Sequence, residues 1–178
     1  YPDNTVRLPT FIIPEGLNED QALNAAAYNG LTSILPTPNS EYAERLDHEL
    51  EVIKERGFSR YFLTMQAIAN KATESQLAGP SRGSAGGSLV AYALGITQID
   101  PIKYNLLFSR FLRSDAKDYP DIDYDVSDPM TLKEKLIEDW GNDNVAPISN
   151  WNTLQLRSLI KDIAKFYDIP FSEVNQVT

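Results

Sequence analysis

The chain has 178 residues, which suits one globular domain or one domain plus a fragment. Its residues are 42% hydrophobic and 23% charged, with no cysteine and a single histidine, His48. That composition supports a buried core and excludes disulfide staples, thiolate metal sites, a cysteine nucleophile and a His-rich metal cage. The net charge of −9 argues against a broad basic face for nonspecific nucleic-acid binding, but it is unevenly spread. Six aspartates fall between Asp115 and Asp128 with only Lys117 among them.

Five prolines punctuate residues 1–40, and each disfavours helix just before it. Arg7 to Pro14 therefore reads as extended, and Asn18 to Tyr28 as a short helix ending at Gly30. Residues 41–56 form a helix, with Tyr42, Leu46, Leu50 and Ile53 at helical spacing and Gly57 as its C-terminal cap. A second apolar helix is expected from Tyr61 to about Ser75. A Gly- and Ser-rich loop, Gly79 to Ser88, then leads into an apolar helix over Leu89 to Leu94 that Gly95 closes. Asp100-Pro101 starts another short element, and Leu106 to Leu112 is apolar enough to be buried.

Tyr119 to Val126 reads as a strand, because Asp121, Asp123 and Asp125 alternate with Ile122, Tyr124 and Val126. Asp128-Pro129 opens a helix carrying Leu132, Leu136, Ile137 and Trp140 on one side. Thr153 to Asp168 is the last helix, ended by Pro170. Tyr1 without an initiator methionine, and a C-terminus one turn past an apparent helix, read as cuts in a longer protein. No apolar run approaches the roughly 20 residues of a membrane span, and no basic-then-apolar leader opens the chain. A cytoplasmic protein with no membrane partner is expected.

The acidic strand is the sharpest chemical feature. Side chains at i and i+2 of a strand point the same way, roughly 6.5–7 Å apart. Two carboxylates so spaced can reach a shared pair of divalent cations, and hard oxygen ligands suit Mg²⁺. The plain alternative is an exposed edge strand whose polar face is simply solvated. The Gly/Ser loop is the second feature. A loop that opens a helix presents backbone N–H groups to an anion, Ser84 and Ser88 add hydroxyls, and Arg82 adds a charged fork. It is neither a Walker A loop nor a dinucleotide fingerprint, and an ordinary turn with capping serines is its plain alternative. Together the two features meet both needs of nucleotidyl transfer, a phosphate cradle and a carboxylate pair for metals. Arg110 and Arg113 face either phosphates or neighbouring aspartates. His48 reads as a solvated residue on a charged helix face. Arg157, Lys161 and Lys165 make one basic stripe, suited to solvent or to a nucleic-acid backbone.

The block GPSRGSAGGSLVAYALGITQIDPIKYNLLFSRFL (Gly79–Leu112), followed by YPDIDYDVSD (Tyr119–Asp128), resembles C-family bacterial replicative DNA polymerases of the DNA polymerase III α-subunit type. The upstream RLDHELEVIKERGFSRYFL (Arg45–Leu63) and LPTFIIPEG (Leu8–Gly16) resemble the same family, so the similarity covers nearly the whole chain. The resemblance implies an α/β (α+β) fold: a mixed β-sheet with flanking helices, the polymerase-β-like nucleotidyltransferase palm. Residues 1–40 would be an entry segment packed on the palm, 41–149 the palm core and 150–178 the start of a thumb.

Carried over by motif, Asp121 and Asp123 match metal-binding catalytic aspartates and Asp125 an accessory acid. Gly83 and Ser84 match residues that contact the incoming triphosphate, and Arg82 and Arg110 match basic residues near the phosphates. The resemblance further implies two Mg²⁺ ions, primer–template DNA and dNTP as partners, and a third catalytic aspartate beyond residue 178. The remaining domains of the parent polymerase, including the region that binds a sliding clamp, would also lie outside this chain. The expected function is template-directed nucleotidyl transfer to a primer 3′-hydroxyl in the intact enzyme, with the fragment itself inactive. The alternative is a nucleotidyltransferase-like module that has lost catalysis and serves binding or assembly. Ser81, Ala67, Lys71 and Ala116 depart from the family pattern, and Ala116 stands where a basic residue is usual.

Overall fold

The structure, a computed structural model, describes residues 6–10, 13, 16–151, 153 and 155–177. They fall into two compact units, residues 1–145 and residues 146–178.

The first unit is built from helices. Asn18 caps α1 (Glu19–Ile34) through a reciprocal capping box with Gln21, and its side chain accepts from the Gln21 N–H at 2.9 Å. The helix runs on through Gly30, past the expected end at Tyr28, and stops only before Pro36. The reason lies in packing. A Cβ at Gly30 would collide with the Ala93 carbonyl, so glycine is what lets α1 cross another backbone at close range. Helix α2 (Ser40–Arg56) ends at Gly57 in the left-handed region, φ 71°, as its sequence predicts. Helix α3 (Ser59–Thr73) follows directly.

Next come a 3₁₀ turn over Gly83–Gly87 and the short helix α4 (Leu89–Ala93). The LVAYA sequence of α4 is apolar on nearly every side, and such a helix belongs in a core. Leu89, Val90 and Ala91 are fully buried, and α4 packs against both α1 and α2. Around it gather Leu23, Leu31, Leu46, Ile53 and Phe62. Burying one such side chain stabilises by roughly 1.5–3 kcal/mol. The segment from Leu106 to Leu112 contributes Phe108, Phe111 and Leu112 to this core, with a 3₁₀ turn over Phe108–Arg110. Helix α5 (Pro129–Trp140) rests on α3 through Lys71–Asp139 and Lys135–Glu74 ion pairs.

The expected mixed β-sheet is not there. Among the described residues, β structure amounts to one isolated antiparallel bridge between Ala78 and Val126. Asp121 to Asp125 belong to no strand, and the palm-type sheet read from the sequence is corrected to a helical architecture. The alternation itself is real, since Ile122 is buried while Asp121, Asp123 and Asp125 are exposed. What the alternation lacks is a ladder. The segment is laid along α3 as a strap, held by side chains and, at its end, by the backbone bonds of the Ala78–Val126 bridge. Tyr119 stacks on Phe58 and Tyr61 at 4.7 and 5.3 Å between ring centroids. Further along, the Tyr124 hydroxyl reaches the Ala69 carbonyl at 3.4 Å. At the far end the Gln76 side chain accepts from the Asp128 N–H at 2.7 Å and donates to its carbonyl at 2.9 Å. Period-2 polarity reports one buried face, and a helix can cover that face as well as a sheet can.

In the second unit, α6 (Leu156–Phe166) starts three residues later than expected, and a further short helix, α7 (Phe171–Val177), follows Pro170. Ala164 and Val174 are buried where the two helices meet, and the Lys161 ammonium lies 5.1 Å from the centre of the Phe171 ring. The extended reading of Arg7 to Pro14 falls partly outside the described residues, and 6–10 form no regular element.

Candidate functional site

Two segments far apart in sequence converge at the Gly83 turn. Gly83 has φ +62°, a conformation that disfavours any Cβ, and a Cβ placed there would run into a carboxylate oxygen of Asp123. Four residues earlier, the Gly79 N–H donates to the Asp125 carbonyl at 2.8 Å. The strap and the glycine loop are thus joined backbone to backbone as well as carboxylate to glycine. Arg82, the first charged residue of the loop, donates to Asp125 Oδ2 at 2.7 Å, and both side chains are largely exposed.

The loop also borders a concavity of about 480 Å³, lined by Gly83, Ser84, Gly86, Gly87, the 105–107 segment and Arg110. A Cβ at Gly87 would sit only 2.8 Å from the Leu107 carbonyl oxygen, so the two walls meet at glycine. Asn105, at φ 53°, is a non-glycine residue in the left-handed region on the same rim. The two arginines of this region part company. Arg113 forks onto Asp115 with bonds of 2.9 and 2.8 Å, whereas Arg110 has no ion pair among the described residues and borders the concavity. Of the sequence-derived phosphate candidates, Gly83, Ser84 and Arg110 therefore share one cavity, while Arg82 is engaged with Asp125.

The carboxylates differ in their surroundings. Asp121 and Asp123 are exposed, and neither accepts a hydrogen bond nor joins an ion pair among the described residues. No group of three or more His, Asp or Glu side chains there is placed to hold a metal ion. The negative charge of both is felt by Tyr61, whose hydroxyl is pushed up chiefly by burial, with Asp121 and Asp123 adding to the effect. Tyr61 is thus the half-buried neighbour of the acidic pair, a residue that sequence reasoning treated only as the start of a helix. His48 is exposed on α2, edge-on to Phe108 at 6.3 Å, as its charged helix face suggests.

Behind the loop lies a buried polar cluster to which the sequence reading gave no role, although Arg45 and Glu49 fall in the Arg45–Leu63 block of the resemblance. Glu49 of α2 is fully buried and accepts from Ser88 Oγ at 2.9 Å and from the Leu89 and Val90 N–H groups at 3.0 Å each. Arg45, one turn earlier, donates to Glu49 at 2.6 Å and also to the Gly87 and Leu106 carbonyls at 2.8 and 3.1 Å. Burial pushes the Glu49 carboxyl upward, opposed by the two backbone donors and by Arg45. The i, i+4 spacing of Arg45 and Glu49 was available in the sequence, but it looks like any solvated helix pair.

Comparison with known proteins finds relatives of this sequence. Residues 21–178 match the family model described as the bacterial DNA polymerase III alpha NTPase domain. The DNA polymerase III subunit alpha of Aquifex aeolicus is 39% identical over 186 residues, an alignment that takes in 99% of this chain and 16% of that protein. Those of Bacillus subtilis and Mycobacterium tuberculosis are each also 39% identical, over 96% and 90% of this chain and 16% and 14% of their own lengths. The chain therefore spans about one sixth of the curated relatives it matches. With a match over most of its length, including the whole glycine loop and acidic strap, this chain belongs to the bacterial DNA polymerase III alpha NTPase domain family.

Proposed function

We propose that this chain is the nucleotide-handling part of a replicative DNA polymerase, acting in the intact protein on dNTP and primer–template DNA. The observation that carries the reading is the seating of the Gly83 turn against Asp123, with Ser84 and Arg110 on the cavity the same turn borders. In this reading Asp121 and Asp123 are the catalytic carboxylates and Asp125 an accessory acid. The Gly83 turn, the Ser84 hydroxyl and Arg110 orient the triphosphate. Arg82 joins them when it exchanges Asp125 for a phosphate oxygen.

The donor set suits Mg²⁺. Asp121 and Asp123 offer hard, unpaired oxygens on one side of an extended segment, and Mg²⁺ is commonly held by one or two carboxylates plus substrate phosphates. When bound, the metal pair supplies charge neutralisation and a more acidic attacking hydroxyl. The chain's own residues supply geometry: the strap fixes the carboxylate spacing, and the glycine turn presents a surface free of side chains to the phosphates. The primer 3′-oxygen then bonds to the α-phosphorus as the bond to the pyrophosphate oxygen breaks, and the hydroxyl proton leaves to solvent. The remaining polymerase domains and a sliding clamp act through regions outside this chain, as does a third aspartate, so the chain by itself does not polymerise.

Asp121→Asn and Asp123→Asn in the intact polymerase test the reading. Each is expected to cut nucleotide incorporation by at least about a hundredfold while leaving the melting temperature near that of the parent. Full incorporation by either variant would remove that aspartate from the chemistry. Primer extension by the purified 178-residue chain would refute its inactivity.

A further inference from the structure

Glu49 and Arg45 pose a question that stability does not answer. A fully buried carboxylate paired with an arginine is often no more stabilising than well-packed apolar residues of the same volume. What this pair does hold is specific. Arg45 uses Nη2 to bond the Gly87 carbonyl and the Leu106 carbonyl together, and these two residues, from different segments, both line the concavity that Ser84 and Arg110 border. Its Nε is fixed by Glu49, which in turn grips Ser88 and the Leu89 and Val90 N–H groups immediately after the loop. One buried unit thus ties α2, the end of the glycine turn and the 106–110 segment at a single point. The walls have no other side-chain hydrogen bond between them among the described residues.

We infer that Arg45 and Glu49 are positioning residues that set the width of the Ser84–Arg110 cavity and so its affinity for the triphosphate, an inference that rests on the nucleotide reading above. Neither residue touches the substrate. Lysine at position 45 keeps the charge for Glu49, but its single ammonium on a flexible stem cannot stand in both the Nε position on Glu49 and the Nη2 position between the carbonyls.

The test compares Arg45→Lys and Glu49→Gln in the intact polymerase, with Asp123→Asn run beside them, and amide hydrogen exchange of the 178-residue chain. The expected result is a KM for dNTP raised about tenfold with kcat within about twofold, since two hydrogen bonds are lost or weakened. Exchange at 83–87 and at 106–110 rises together, while α1 keeps its protection. An unchanged KM with a lowered melting temperature would make the pair merely structural and overturn the inference, as would failure of both variants to fold. If Asp123→Asn leaves incorporation intact, the catalytic reading fails instead. The exchange data then decide alone whether Arg45 couples the walls, and independent exchange at the two segments overturns that coupling.

Discussion

Gly83 of the glycine loop is seated against Asp123 of the acidic strap: the place where a side chain would begin on the glycine is already taken by the carboxylate of the aspartate. Two separate constraints therefore act on position 83, its positive φ and its neighbour. They can be told apart, because Gly95 has a similar φ of +73° but nothing within 4 Å of the position where a Cβ would stand. Gly95→Ala pays only backbone strain, about 1–2 kcal/mol by denaturant unfolding. Gly83→Ala is expected to cost more than Gly95→Ala and, in the intact polymerase, to lower kcat/KM by at least about tenfold by displacing Asp123. Equal losses of stability with equal activities would mean that the Asp123 contact carries no function.

Arg82 is paired with Asp125, and the proposed nucleotide site would offer it a second anionic partner, a phosphate. Its guanidinium is pushed further up by that hydrogen bond and by the Asp125 charge, so it stays cationic throughout. If Asp125 competes with phosphate, Asp125→Asn frees the fork. The KM for dNTP should then fall about twofold to threefold, with the melting temperature nearly unchanged because the pair is solvent-exposed. Arg82→Met should move KM the other way. A rise in KM in Asp125→Asn would instead make Asp125 a direct contributor to the site.

Gly30 tests the core rather than the site. The carbonyl of Ala93 lies where a Cβ on Gly30 would go, and both partners are backbone in packed helices, so neither can give way cheaply. Gly30→Ala should destabilise by about 1–3 kcal/mol, despite the better helix propensity of alanine. Denaturant titration of the two proteins measures the difference. A gain in stability would show that α1 and α4 can separate without loss.

The same glycine shows where sequence reading stops. Helix existence was legible along most of the chain, because Leu46, Leu50 and Ile53 recur at helical spacing and Asn18, Gly57 and Asp128 carry cap chemistry. The end of α1 was misplaced because Gly30 signals a stop locally, whereas its actual role is a close crossing with α4. The acidic segment was legible as one-sided but not as a strap, since period-2 polarity says that Ile122 is covered and not what covers it. Ser84 and Arg110 were singled out through motif, and both line one cavity in the structure. The roles of Arg45, Glu49 and Tyr61 were not, for their partners lie 39 to 62 positions away, and no local pattern records them.

Tyr28 and Tyr42 give the fold a signature at high pH. Tyr28 donates to Asp47 at 2.5 Å and Tyr42 to Asp100 at 2.6 Å, and each hydroxyl is pushed up to about 12, first by that hydrogen bond and then by burial. A raised folded-state pKa means that the folded chain holds its phenolic protons more tightly than the unfolded chain, whose tyrosines ionise near 10. The stability these bonds confer is therefore complete below pH 10 and is lost as pH rises from about 10 to about 12. Absorbance at 295 nm should show two tyrosines ionising last, and the double variant Tyr28→Phe, Tyr42→Phe should lack that final step. Tyr42→Phe should also loosen the turn after Asp100, which the same carboxylate caps by accepting from the Ile102 and Lys103 N–H groups at 3.0 and 3.1 Å. That turn leads into Asn105 and Leu106 on the cavity rim, so faster amide exchange there at neutral pH would link Tyr42 to the site. If exchange at 102–106 is unaltered in the Tyr42→Phe variant, the Tyr42–Asp100 bond serves the fold alone.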